Sequence, residues 1–140
     1  MKILVAADGS SYTKRMLAYL AAHDEWMGGA HQYTVIHTAQ PVSSNAASLL
    51  DKAVLHEHYA DDSEKVFRPI RTFFKKQGLD ATFVGKVGHA ADVIATTAVK
   101  GKYDLIVMGS AGHSALANMV MGSVTTKVLA SCKTPVLLVR

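Results

Sequence analysis

Two uninterrupted apolar runs, each ended by a turn rich in small residues, constrain this chain more than any other feature. Ile3-Leu4-Val5-Ala6-Ala7 runs into Asp8-Gly9-Ser10, and Leu105-Ile106-Val107-Met108 runs into Gly109-Ser110-Ala111-Gly112. A half-exposed strand alternates apolar and polar residues. A run without alternation is apolar on both faces, as in a parallel sheet with helices on each side. Further strand patterns lie at Tyr33–Thr38, at Thr82–Val87 (weakened by Gly85) and at Pro135–Val139. Between them lie helical patterns. One follows a Ser10 or Ser11 cap, with apolar Met16, Leu17, Tyr19, Leu20 and Ala21, and is stopped by Gly28-Gly29; others span Ala90–Val99 and about Ser123–Ser131. Strand and helix alternate five times, which predicts an α/β fold: an open, mostly parallel sheet with helices on both faces.

The segment from Ala46 to Gln77 is helical in composition throughout. As one helix it would be a rod of roughly 48 Å at 1.5 Å per residue, too long for a domain of this size. It is therefore expected to start late, break or kink, with Pro69 the obvious site, and Gly78 ends it. The length of 140 residues suits one domain spanning 1–140. The 49% hydrophobic and 19% charged content excludes a disordered chain or a coiled coil.

The net charge of +4 is unevenly placed, −2 over residues 1–70 and +6 over 71–140. A basic second half suits an anionic ligand, but no Lys/Arg cluster points to nucleic acid. The stretch from Leu105 to Thr126 lacks Asp, Glu, Lys and Arg, yet it is two apolar pieces around a polar glycine loop and not a membrane helix. The lone Cys132 cannot form an intrachain disulfide and reads as a small core residue. Together these features predict a soluble, cytoplasmic protein with no membrane association.

In open α/β sheets ligands sit beyond the carboxyl ends of the strands, where strand order reverses. Asp8 follows the first strand and Gly109-Ser110-Ala111-Gly112 the fourth, with Gly122-Ser123 opening the next helix. Glycines let converging amides and an anion come close. A helix N-terminus adds unpaired N–H groups, and the Ser123 and Thr125 hydroxyls can donate as well. Taken alone, the same spacing also fits a strand-end turn and a loop glycine. No P-loop lysine and no G-x-G-x-x-G after the first strand are present, which excludes the kinase-type NTPase and NAD readings.

The order of these pieces closely resembles the universal stress protein family over the whole chain. The residues that carry the likeness are Ile3–Ser10, Asp104–His113, Met121–Thr125 and Thr134–Val139, with the G-x2-G-x9-G-[ST] pattern of the ATP-binding branch. The resemblance implies a Rossmann-like, adenine-nucleotide α-hydrolase-like fold with a five-stranded parallel sheet in the order 3-2-1-4-5. It implies ATP, with Mg2+ accompanying it, as ligand. The adenine would lie against Ala6, Asp8 and Thr38. The triphosphate would lie on Gly109, Ser110, Ala111, Gly112, His113 and Ser114, and on Gly122, Ser123, Val124 and Thr125. Ala111, and Ala6 with Ala7, depart from residues frequent in the family.

Other candidates are weaker. His56 and His58 do not share a helix face, so a metal site there is not expected. His113 stands in the loop, where a phosphate contact and a solvated side chain fit equally well, His37 reads as a core or rim residue, and Trp26 as an amphipathic cover. No catalytic triad and no second carboxylate beside Asp8 can be read from the sequence. A nucleotide-regulated stress-signalling module without catalysis is the first expectation; a slow ATPase or phosphotransferase at the same site is the alternative. The last strand, Val136-Leu137-Leu138-Val139, is an apolar edge in the implied sheet order, and a homodimer through it is expected.

Overall fold

Both apolar runs become central strands. The computed structural model describes residues 1–113, 116, 118 and 120–140. In chain order the elements are β1 (Lys2–Ala6), α1 (Ser11–Ala22), α2 (Asp24–Met27), β2 (Gln32–Ala39), α3 (Ser44–Ser48), α4 (Lys52–Lys76), β3 (Ala81–Val87), α5 (Ala90–Lys100), β4 (Leu105–Gly109), α6 (Ser123–Ser131) and β5 (Val136–Val139). The sheet has five strands in the order β3-β2-β1-β4-β5, every pair parallel. β1 therefore sits between β2 and β4, with Ala6 opposite Ile36 on one side and Met108 on the other.

The absence of alternation in β1 and β4 is now explained by two cores. Ile3, Val5, Val35 and Val107 face α1 and α4, where Met16, Leu20, Phe67, Ile70 and Phe74 cover them. Leu4, Ala6, Ile36, Ile106 and Met108 face α5 and α6, against Ala91, Ile94, Ala98 and Val128. Each large aliphatic side chain so buried contributes about 1.5–3 kcal/mol.

The long helical segment resolves the length problem by starting late. α3 ends at Ser48, and Asp51 caps α4 by accepting from the Ala53 amide at 3.3 Å. From there α4 runs 25 residues without interruption through Pro69, so the expected break falls before Asp51 instead. Pro69 is exposed, as is Lys65, whose carbonyl loses its helical donor there; water can serve that carbonyl on the outer face. The buried residues of α4 are Ser63, Phe67, Ile70 and Phe74, none of them in its first three turns. Gly78 ends it at φ +66°, with the Leu79 amide donating back to the Phe74 carbonyl at 2.9 Å. The other correction is small: α1 stops at Ala22, and the short α2 intervenes before Gly28.

Candidate functional site

Beyond the carboxyl ends of β1, β2 and β4 lies a crevice of about 740 Å³. It straddles the sheet edge. On the α5/α6 side its wall is Ile36, Thr38, Ala90, Ile94, Met108 and the first turn of α6; on the α1/α4 side it is Tyr12, Thr13, His37, His58, Asp62, Lys65 and Val66. This is the switch point of the sheet, as the strand order requires.

Of the residues that the resemblance implies, Ala6, Asp8, Thr38, Gly109, Ala111, Gly112, His113, Gly122, Ser123, Val124 and Thr125 line the crevice. Ser110 does not: it is buried, its amide donating to Val139 O at 2.9 Å and its carbonyl accepting from Gly122 N at 2.7 Å. Ser114 lies outside the described residues. The Thr125 hydroxyl is also corrected. It donates to the Gly109 carbonyl at 3.1 Å and so fastens α6 to the end of β4, leaving Ser123 as the first-turn hydroxyl not so engaged.

The loop glycines serve the protein's own packing. A Cβ at Gly109 would sit 2.7 Å from Tyr12 Cβ, one at Gly122 3.1 Å from Ala111 Cα, and one at Gly112 would collide with Asp8 Oδ2. None of the three has a positive φ. Their role is close approach, which brings the loop against β1 and α1.

Asp8 is the knot of this arrangement. Its carboxylate accepts from the Ser10 amide at 2.9 Å, the Thr13 hydroxyl at 3.2 Å and the His113 amide at 3.2 Å. The His113 ring donates from Nε2 to the Asp8 carbonyl at 2.7 Å, so this histidine clasps the loop to β1. Burial pushes the Asp8 carboxyl up, but hydrogen bonds from Ser10 and the nearby His113 outweigh it and hold it below the ordinary value.

Two helices present uncapped N-termini here. Gly122 stands at the N-cap of α6 and His89 at that of α5, neither with a side-chain capping bond, while Ala90, Ser123, Val124 and Thr125 line the crevice. Unpaired amides and the positive ends of two helix dipoles favour an anion. The α5 terminus was not anticipated from the sequence. At the opposite edge, the Thr38 hydroxyl is buried without a hydrogen-bond partner, alone in this among the described side chains.

The wall formed by α4 was also missed. His58, Asp62 and Lys65, spaced i, i+4, i+7, share the helix face turned to the crevice, and His58 Nε2 lies 3.4 Å from Asp62 Oδ2. Asp62 thus supplies a second carboxylate in the crevice, which the sequence reading did not find. Among the described residues no three His, Cys, Asp or Glu side chains stand close enough to hold a metal ion. No helix among them is long and apolar enough to cross a membrane. Cys132 is partly buried against the α5/α6 core, as read, with its thiol directed at Val128 O.

The profile of the Universal stress protein family matches residues 1–140. The chain belongs to the universal stress protein family. A universal stress protein of Thermus aquaticus, named for its place in the QAH/OAS sulfhydrylase 3′ region, is 33% identical over 138 residues, covering 99% of this chain and 97% of its own length. A universal stress protein solved in complex with cAMP is 24% identical, covers 100% of this chain and 97% of its own, and superposes with a TM-score of 0.69. One from Archaeoglobus fulgidus in complex with dAMP is 20% identical, covers 100% and 98%, and gives 0.71. These solved universal stress proteins share the fold: a five-stranded parallel sheet flanked by helices.

Proposed function

We propose that this universal stress protein binds an adenine nucleotide in the crevice and acts in the cytoplasm as a nucleotide-regulated signalling module without turnover. The observation that carries the reading is the convergence of the glycine loop and two uncapped helix N-termini on one crevice at the switch point. The donor set fits. Amides at Ala111 and Gly112 and at the start of α5 and α6 suit phosphate oxygens, and the Thr38 hydroxyl gains a partner when a ligand fills the slot beside it. The relatives described with cAMP and dAMP support adenine as the base. ATP is the specific ligand proposed. Mg2+ would enter on its phosphates, where it neutralises charge, since the chain has no built metal cluster among its described residues.

Two further parts of the reading concern assembly and chemistry. β5 ends the sheet, with no strand on its outer edge among the described residues, and a second copy of β5 is proposed to cover it. Asp8 already accepts three hydrogen bonds, which leaves it poorly placed to take a proton from water.

Gly122→Val tests the site. A Cβ at position 122 would lie 3.1 Å from Ala111 Cα, so the valine presses on Ala111 and displaces the loop. Calorimetry with ATP should show binding to the parent chain and its loss in the variant, with circular dichroism confirming the fold. Equal affinity in the two proteins would remove the loop from the site.

A further inference from the structure

The crevice wall on the α4 side holds an imidazole that the phosphate-loop argument does not use. His37 projects from β2 toward α4, its ring edge-on to Phe67 at 6.2 Å, and it lines the crevice. Its Nδ1 lies 2.9 Å from Ser63 Oγ. Ser63 is buried, and its hydroxyl makes no other hydrogen bond among the described residues. With no other acceptor for that hydroxyl among the described residues, Ser63 is assigned as the donor to Nδ1, the tautomer that leaves its proton paired. The ring proton then sits on Nε2, the nitrogen left free for the crevice.

Gly85 makes this pair possible. It stands opposite His37 in the β2–β3 register, and a Cβ there would lie 2.7 Å from Ser63 Oγ and 3.1 Å from Ser63 Cβ. The bare backbone at Gly85 is what lets Ser63 reach His37. The interruption that weakens β3 in the sequence is a space reserved for an orienting hydroxyl.

We infer that His37, oriented by Ser63, is a specificity-determining residue of the crevice: its neutral ring donates from Nε2 to the ligand, and its protonated ring selects an anionic nucleotide over the uncharged nucleoside. The inference rests on the nucleotide reading above. The charged groups around the ring are known from each side. α4 contributes Asp62, with His58 and Lys65 on the same wall; the end of β1 contributes Asp8; the glycine loop contributes His113; β3 offers only Gly85 in the facing register. Burial lowers the affinity of the free ring for a proton, the carboxylates of Asp62 and Asp8 oppose that, and His113 adds to it; the net shift is downward. Protonating Nδ1 also forces the Ser63 hydroxyl to give up its acceptor, which works in the same direction.

A bound phosphate favours the cation and raises the proton affinity of the ring. By linkage, affinity for the anion then climbs as pH falls through the bound-state value and levels off below the free-state value. Each unit between the two is tenfold.

cAMP and adenosine separate the effects, because neither changes charge between about pH 5 and 8. Calorimetry at pH 7.5 and 5.5 should show affinity for cAMP rising roughly three- to tenfold. Adenosine should stay nearly constant, and the rise should largely vanish in His37→Gln. Ring-proton NMR of the unmodified protein is the second measurement. His37 should titrate below the ordinary 6.5, move upward on adding cAMP, and move upward in free Ser63→Ala. An equal pH profile in His37→Gln, or a His37 titration unmoved by bound cAMP, overturns the inference while leaving the nucleotide site standing. Failure of cAMP, AMP and ATP all to bind overturns the nucleotide reading, and the inference falls with it.

Discussion

Replacing Thr38 by Val should make the free protein more stable and the nucleotide complex weaker. The two side chains have nearly the same shape and suit a strand equally well. They differ in one hydroxyl, which in Thr38 is buried and unpartnered. A polar group in that state costs about 1–3 kcal/mol relative to an apolar one. Thr38 is itself only partly buried, so the lower end applies, about 1 kcal/mol. For a chain of this length that corresponds to a rise in Tm of about 3 °C. Thermal unfolding followed by circular dichroism measures it without ligand. Repeating the melt with saturating ATP should reverse the order, because the hydroxyl can turn about χ1 toward the ligand while the methyl has nothing to offer. Ligand stabilisation, RT ln(1 + [L]/Kd), should therefore be larger for the parent protein. A lower Tm for the ligand-free variant would show that the hydroxyl already has a partner, and would refute the argument.

Asp8→Asn should cost about 1–3 kcal/mol at pH 7, since an amide cannot accept from all three donors. The Asp8 carboxyl is held below its ordinary 3.8, so its contribution is complete above that pH and is lost as pH falls through the folded value; urea titrations from pH 6 to 3 should show the gap between parent and variant closing only below about pH 4. Light scattering at micromolar concentration should give twice the 15.0 kDa chain mass, and a monomer would refute the β5 pairing. ATP hydrolysis should stay far below the ~1 per second of ordinary enzymes; turnover near that rate, abolished by Asp8→Ala, would mean that the crevice is an active site.

What could be read in the sequence was local. Unbroken apolar runs locate β1 and β4 because a strand buried on both faces leaves no room for alternation, and the resemblance then orders the strands correctly. The loop after β4 and the start of α6 follow from the same strand end. Contacts distant in sequence were not legible. Nothing near Thr125 says that its hydroxyl will be taken by Gly109 O, and nothing near Gly112 says that Asp8 will occupy the space beside it. The α4 wall left a fainter mark. The core stripe Ser63, Phe67, Ile70, Phe74 runs at helical spacing, and the polar stripe His58, Asp62, Lys65 is centred about 140° round the helix from it. A helix with a polar stripe as well as its buried one has a rim to place somewhere, and here the rim is the crevice.

The uneven burial of α4 gives the protein two levels of cooperativity in one helix. Its last three turns are pinned to the sheet by Phe67, Ile70 and Phe74, while Lys52–His58 holds only Leu55 partly covered. Opening those first turns exposes almost no apolar surface, so it costs little beyond a few helical hydrogen bonds. Amide exchange should therefore be fast from Ser44 to about His58 and slow from Phe67 onward. His58 stands at the border between the two regimes, so fraying that stops there widens the mouth of the crevice while the floor, built on β1, β2 and β4, stays shut.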